Sequence, residues 1–272
     1  MTDPRDALDA IGQLPDTEID IADSALQLAR VDAPDADWQA ARAQLSQIAR
    51  DAVALPSAGN LTAKAEALSD LLAARHGYLG DADTYDDLAN ANLIRVIERR
   101  RGLPVALGVI WLHAARAAGW EAHGVDFPAH FMIALQGKST QVVLDVFHGG
   151  VAMSARDLRL LLKRIEGENA ELRPGLLLPM NARQVLLRLQ NNIASRRLQA
   201  GDLEGGLACI EDMLRFAPDQ AELWRQAAML NQQLDRVSAA LRCFERCLRL
   251  VPRGDVATRI RSAMDGLRGR LN

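Results

Sequence analysis

The sequence predicts an α+β fold: a mostly helical domain carrying a small antiparallel sheet, followed by an all-α domain of helical repeats. Three observations carry this reading. Apolar residues recur at three- and four-residue spacing through most of residues 1–118 and again after about residue 181. Alternating, strand-like segments are confined to residues 121–147, and a 34-residue internal period marks the C-terminal part of the chain. A content of 49% hydrophobic and 25% charged residues is that of a packed globular chain, which excludes disorder.

The elements follow in order. Residues 19–31, 37–55 and 60–76 read as helices, with Pro34, Pro56 and Gly59 marking the breaks. A fourth helix is expected over Leu88–Arg101, stopped by Gly102, with Asn90 as the cap at its entry. A fifth starts at Pro104, which suits a first helical turn, and VALGVIWLHAARAAG is apolar nearly all round, as a central buried helix must be. After Gly119 come strands over residues 121–126, 130–135 and 141–147, the last two forming an antiparallel hairpin about a turn at residues 137–139. A helix over residues 153–165 carries Ser154 as its cap and Asp157 three residues on. GlyLeuLeuLeuPro (175–179) reads as a hinge. The predicted domains are therefore 1–178 and 179–272.

The repeat is checked by offset. Leu207, Cys209, Leu214, Arg215 and Pro218 recur as Leu241, Cys243, Leu248, Arg249 and Pro252, 34 residues later. That is tetratricopeptide spacing, in which a helix pair buries one face only by stacking on its neighbour. The second repeat sets Trp224, Ala240, Phe244 and Pro252 at the aromatic, small, aromatic and stop positions; the first is degenerate, with Gly206 and Ile210. A capping helix is expected near residues 256–267. Two repeats leave an exposed flank through which the chain can form a homodimer.

Charge and cysteine content narrow the function classes. Residues 1–92 hold 17 acidic and 6 basic side chains, so a nucleic-acid-binding arm is excluded there, and aromatics at 4% argue against a stacking platform. Without an apolar span or a signal-like N-terminus, the chain is expected in the cytoplasm, with no membrane association. Cys209, Cys243 and Cys247 are too few and too clustered for a disulfide framework and read as small buried hydrophobes.

Chemistry concentrates in AspPheProAlaHisPhe (126–131) and ValLeuAspValPheHisGlyGly (143–150). A two-residue hairpin turn sets His130 directly opposite Asp145, and a four-residue loop makes them diagonal neighbours. In either register both side chains share a face, close enough for the carboxylate to orient the imidazole. Together with TyrAspAspLeuAlaAsnAlaAsnLeu (85–93), GluArgArgArgGlyLeuProValAlaLeuGly (98–108) and the repeats, these motifs resemble the SirB family of transglutaminase-like proteins, from about residue 20 to 255.

The resemblance implies a papain-like domain in which His130 and Asp145 match the His and Asp of a catalytic triad. By the same template the nucleophilic cysteine belongs near Pro104–Ala106, where Val105 is the closest match. No cysteine occurs in residues 1–208, and valine cannot replace a thiolate. Three readings of the pair stand open: an inherited structural contact, a binding site, and direct catalysis. A metal site of His130, Asp145 and His148, with His123 nearby, lacks ligand spacing, so neither metal nor cofactor is expected. His113 reads as a satisfied core histidine, His76 as a helix-end residue, and Arg99–Arg101 as cations favoured by a helix C-terminus. Gly149 and Gly150 suit a turn needing positive φ.

The expected function is a bacterial, non-catalytic interaction or regulatory protein that binds a protein or peptide through its repeats. The alternative is a hydrolase or acyl-transfer enzyme using His130 and Asp145 with a non-cysteine nucleophile.

Overall fold

The computed structural model describes residues 3–56 and 59–269. Contacts divide the chain into two compact units, Pro15–Leu189 and a second unit made of Met1–Leu14 with Gln190–Asn272. The first helix, α1 (Pro4–Gly12), which the apolar spacing did not single out, belongs to the C-terminal unit.

In the unit Pro15–Leu189, helices α2 (Ile21–Asp32), α3 (Trp38–Val53), α4 (Leu61–Ser69) and α5 (Leu93–Arg99) surround α6 (Pro104–Ala117). Asp20, Asp37 and Asn60 cap the first three through their side-chain oxygens. Helix α6 earns its central place through composition: Leu107, Val109, Ile110, Trp111, Ala114 and Ala115 are all buried. The helix expected to reach His76 changes character at Asp70, where a π-helical turn, Asp70–Arg75, follows α4. His76 then closes that turn, bonded to Gln44 and Asp51. His113, half-buried on α6, donates its Nε2–H to the Leu45 carbonyl oxygen at 3.1 Å.

The helix expected over Leu88–Arg101 is two pieces. Leu88–Asn90 is a 3-10 turn, and α5 begins after Asn92, whose side chain accepts from the Ile94 and Arg95 amides. Asn92, and not Asn90, is therefore the cap. Arg100 takes a left-handed φ of 55° and ends α5. Residues beyond it form β2 (Arg101–Gly102), paired in parallel with β1 (Leu79–Gly80).

The sheet has five strands in the order β6-β5-β4-β3-β7: β3 (Ala122–Phe127), β4 (His130–Gln136), β5 (Gln141–Asp145), β6 (Val151–Met153) and β7 (Pro179–Met180). All its pairings are antiparallel. Ile133 pairs with Leu144 and Gln136 with Gln141, so the β4–β5 hairpin adopts the four-residue-loop register. Helix α7 (Ala155–Glu166) opens with the expected capping box of Ser154 and Asp157. Its Leu158 and Leu162 cover one sheet face over Val125, Phe127, Met132 and Val143. Phe131 lies on the other face, against Gly108 of α6, where a Cβ would collide with the ring.

Residues 175–179 are not a hinge. Leu176 and Leu177 pack on the α7 cluster, and Pro179 pairs with Val125, at a sheet edge where a residue lacking an N–H is tolerated.

In the C-terminal unit, α9 (Leu203–Phe216) and α11 (Val237–Leu250) begin and end 34 residues apart, as do the starts of α10 (Ala221–Gln233) and α12 (Asp255–Arg268). The expected capping helix thus stands where the first helix of a further repeat would start. These follow α8 (Ala182–Gln199), within which the division between units falls, 11 residues beyond the boundary expected at 179. A continuous helix hides that boundary from the sequence, because nothing in its periodicity changes there.

Helix α1 packs on α9 through buried Leu8 and Ile11, and Arg5 bonds the buried Asp212 carboxylate at 2.9 Å. Gly12 lies against the Arg215 carbonyl, too close for any Cβ. Leu8→Ala is expected to destabilise this unit by about 3 kcal/mol, the usual result of emptying a leucine site in a packed interface, as read by urea unfolding.

Candidate functional site

The site is built from two turns of the sheet. Phe127 pairs with His130 across a two-residue turn in which Ala129 takes φ 51°, so His130 opens β4. Asp145 closes β5, and its side chain organises the chain beyond it. One carboxylate oxygen accepts from the Phe147 amide at 3.1 Å and from the His148 amide at 3.4 Å. The Gly150 amide returns to the Asp145 carbonyl at 2.8 Å. Gly149 and Gly150, at φ 74° and 82°, supply the left-handed backbone this reversal requires.

The turn is seated from three sides. Ser69, just before the π-helical turn, donates to the Gly150 carbonyl at 3.0 Å; Trp111 of α6 lies beneath Gly150; and the Gly80 amide donates to the Phe147 carbonyl at 2.9 Å.

The second Asp145 oxygen faces two imidazoles. His148 Nδ1 is hydrogen-bonded to it at 2.8 Å. His130 Nε2 lies 3.1 Å from the same oxygen but outside aligned hydrogen-bond geometry, so this contact is a close electrostatic one. Asp145 is 7% exposed, His130 17% and His148 65%. Burial alone would raise the Asp145 pKa; the close approach of His130, the hydrogen bond from His148 and the charge of both imidazoles outweigh it and hold the carboxyl below its ordinary value.

His148 is the member that the triad-like pairing of His130 and Asp145 passed over. Its signal was present: an Asp at a strand end, a His three residues on, then two glycines, the pattern of a turn folded back onto its first carboxylate. His123 is apart from the cluster; burial lowers its pKa, with Glu121 and Gln141 opposing.

Val105 is 2% exposed in the first turn of α6. Alternation along β4 and β5 sets His130 and Asp145 on the face shared by Met132 and Val143, which α7 covers, whereas α6 meets the opposite face through Gly108 and Phe131. Among the described residues, no group of three His, Cys, Asp or Glu side chains is arranged to hold a metal ion.

The segments 85–93 and 98–108 form a second polar cluster. Buried Asp81 accepts from the Thr84 amide at 2.9 Å, the Thr84 hydroxyl at 2.7 Å and Arg99 at 2.8 Å. The Thr84 bonds, with lesser help from Asn90 and Arg99, hold the Asp81 carboxyl below its usual value against its burial. Asn90 reaches the Thr84 carbonyl at 2.6 Å and accepts from Arg99 at 3.2 Å. Arg99 is thus spent inside the protein, and Arg101 bonds the Gly77 and Arg100 carbonyls. Arg99→Ala is expected to cost about 2 kcal/mol, since it leaves a buried carboxylate short of its charged donor; an unchanged urea midpoint would show that Thr84 suffices alone.

Comparison with known proteins places this geometry. Residues 39–191 match the model of the transglutaminase-like superfamily, and residues 193–265 match that of the tetratricopeptide repeat. A UPF0162 protein of Xylella fastidiosa (strain Temecula1) is 33% identical over 192 residues, which cover 70% of this chain and 68% of that protein. A UPF0162 protein of Vibrio cholerae is 25% identical over 251 residues, covering 92% of this chain and 93% of the relative. F-box only protein 21 of Mus musculus is 23% identical over 158 residues, which cover 54% of this chain and 24% of that protein. Among the described residues no helix is long and apolar enough to cross a membrane. The first match spans more than half of the chain and contains both the His130–Asp145 hairpin and the Asp81–Arg99 cluster; the chain belongs to the transglutaminase-like superfamily, with tetratricopeptide repeats following.

Proposed function

We propose that this chain is a non-catalytic interaction protein, in which a degenerate transglutaminase-like domain serves as scaffold and the repeats engage a protein partner. The observation that carries the reading is the valine where the superfamily template wants a nucleophile: Val105 is buried, and residues 1–208 hold no cysteine. The cysteines that exist do not compensate. Cys209 and Cys247 are buried in the repeats, and burial pushes the Cys243 and Cys247 thiols up, away from the reactive thiolate. The opposed sheet faces of α6 and the His130–Asp145 pair support the same reading. In it, Asp145 acts as the organiser of the 145–150 turn. The SirB-type resemblance and a cytoplasmic site of action accord with this reading.

The 3.1 Å approach of His130 to Asp145 favours a second reading, a hydrolase that activates water. Affinity capture with the intact chain, in parallel with the His130→Ala/Asp145→Ala variant, separates the two. The interaction reading expects the same stoichiometric partner from both, cross-linked to the repeat helices. A species captured or chemically altered only when His130 and Asp145 are intact would overturn it in favour of the enzyme.

A further inference from the structure

A small pocket opens at the end of the sheet opposite to His130. Strand β4 begins at His130 and ends at Gln136, and the pocket lies at that far end, where the hairpin loop, the start of α4 and the residues after α6 meet. Its volume is about 290 Å³, at the small end of sites that take up a small molecule. Leu61 of α4 closes one side: a Cβ on Gly137 would meet its side chain at 2.9 Å, so helix and loop are held in contact. Leu135 and the buried Trp120 add apolar wall.

The cations on this wall set it apart from the rest of the chain. Of 32 basic side chains only three are lysines, Lys64, Lys138 and Lys163, and two of the three line this pocket. Lys163 of α7 pairs with Glu171 at 3.7 Å, whereas Lys64 and Lys138 have no ion-pair partner among the described residues. Lys64 stands near the N-terminus of α4, where the helix dipole disfavours a cation, so the helix does not account for it. Its ammonium lies 5.4 Å from the centre of the Trp120 ring. An ammonium is a compact charge with three donors on a flexible stem, and it enters a narrow pocket with less bulk than a planar guanidinium.

Donors exceed acceptors around these two charges. The carbonyls of Glu121, Gly137 and Thr140 already accept, from the Gln136 amide at 2.8 Å, the Gln136 side chain at 2.9 Å and the Gly137 amide at 2.8 Å. The Trp120 indole N–H has no acceptor among the described residues. Glu121 is the one acidic side chain on the wall; it is exposed, and its charge acts on His123. Two ammonium groups against one carboxylate leave an excess of positive charge, and the complement of such a pocket is an anion.

We infer that this pocket binds a small organic dianion. Its acid groups, carboxylate or phosphate, pair with Lys64 and Lys138, and its carbon frame lies against Trp120 and Leu135. The assignment depends on neither reading of the His130–Asp145 pair, which lies at the other end of β4.

The test is isothermal titration calorimetry of the intact chain at low salt, with succinate and glycerol 3-phosphate as separate probes. Saturable binding of at least one, with one site per chain, is expected. Lys64→Gln and Lys138→Gln should each weaken it about tenfold or more, the usual loss when a charged partner is removed. Lys163→Gln removes the same charge from α7 and should leave the affinity unchanged. Thermal melts confirm that the variants fold, and Lys64→Arg, which keeps the charge, should retain part of the affinity that Lys64→Gln loses. A preference for succinate would assign a dicarboxylate, and a preference for glycerol 3-phosphate a phosphorylated ligand. No saturable binding of either probe at millimolar concentration would overturn the assignment. So would binding indifferent to Lys64→Gln and Lys138→Gln, or an equal loss in Lys163→Gln, which would mark a general charge effect and not a site.

Discussion

Gly150→Ala is expected to lower the stability of the transglutaminase-like unit by about 3 kcal/mol. At φ 82° an L-residue pays on the order of 1–2 kcal/mol for the left-handed backbone. The added methyl would also collide with the Trp111 ring and the Ser69 hydroxyl, and overpacking a buried site adds roughly 1–3 kcal/mol. Gly119→Ala is the control. Its φ is 71°, and nothing lies within 4 Å of the position a Cβ would take, so only the backbone penalty of about 1 kcal/mol should appear. Urea unfolding of the two variants separates the terms. Equal losses would mean that Trp111 yields to the methyl and that the turn is not held from beneath.

Asp145→Asn is expected to cost about 2 kcal/mol at neutral pH and to flatten the acid limb of the stability profile. The amide oxygen can still accept from the Phe147 and His148 amides, but the new NH₂ meets imidazole nitrogens that the carboxylate had faced as an anion. The folded pKa of Asp145 lies below its unfolded value of about 3.9. Its contribution is therefore complete above that unfolded value and is lost as pH falls through the lower, folded one. The gap between parent and variant should close below about pH 4. A gap that stays constant from neutrality into that range would show that packing, and not charge, makes Asp145 matter. Asp81, depressed in the same direction, keeps its own share of the acid limb in both proteins.

The capping box at Ser154, the buried α6 and the 34-residue period were legible because each depends on neighbours within a few residues or on strict repetition. The hairpin was legible except for its register, which the loop conformation chose. Less was visible where distant segments decide. Short strands β1, β2 and β7 have too few residues to show a period, and partners 22 to 56 residues away make them strands. Asn92 outcompeted Asn90 as a cap because Arg99 and Thr84 claimed the Asn90 side chain.

What this sequence determined by itself is the fold class, the superfamily motifs and the absence of a thiol from residues 1–208, since periodicity and residue identity are local properties. Only the tertiary structure decided that His148 takes the aligned bond to Asp145 and that α1 packs with the repeats. Each depends on which surfaces meet after the helices and strands have formed. A burial pattern says that a face needs a partner, and only packing says which partner it finds.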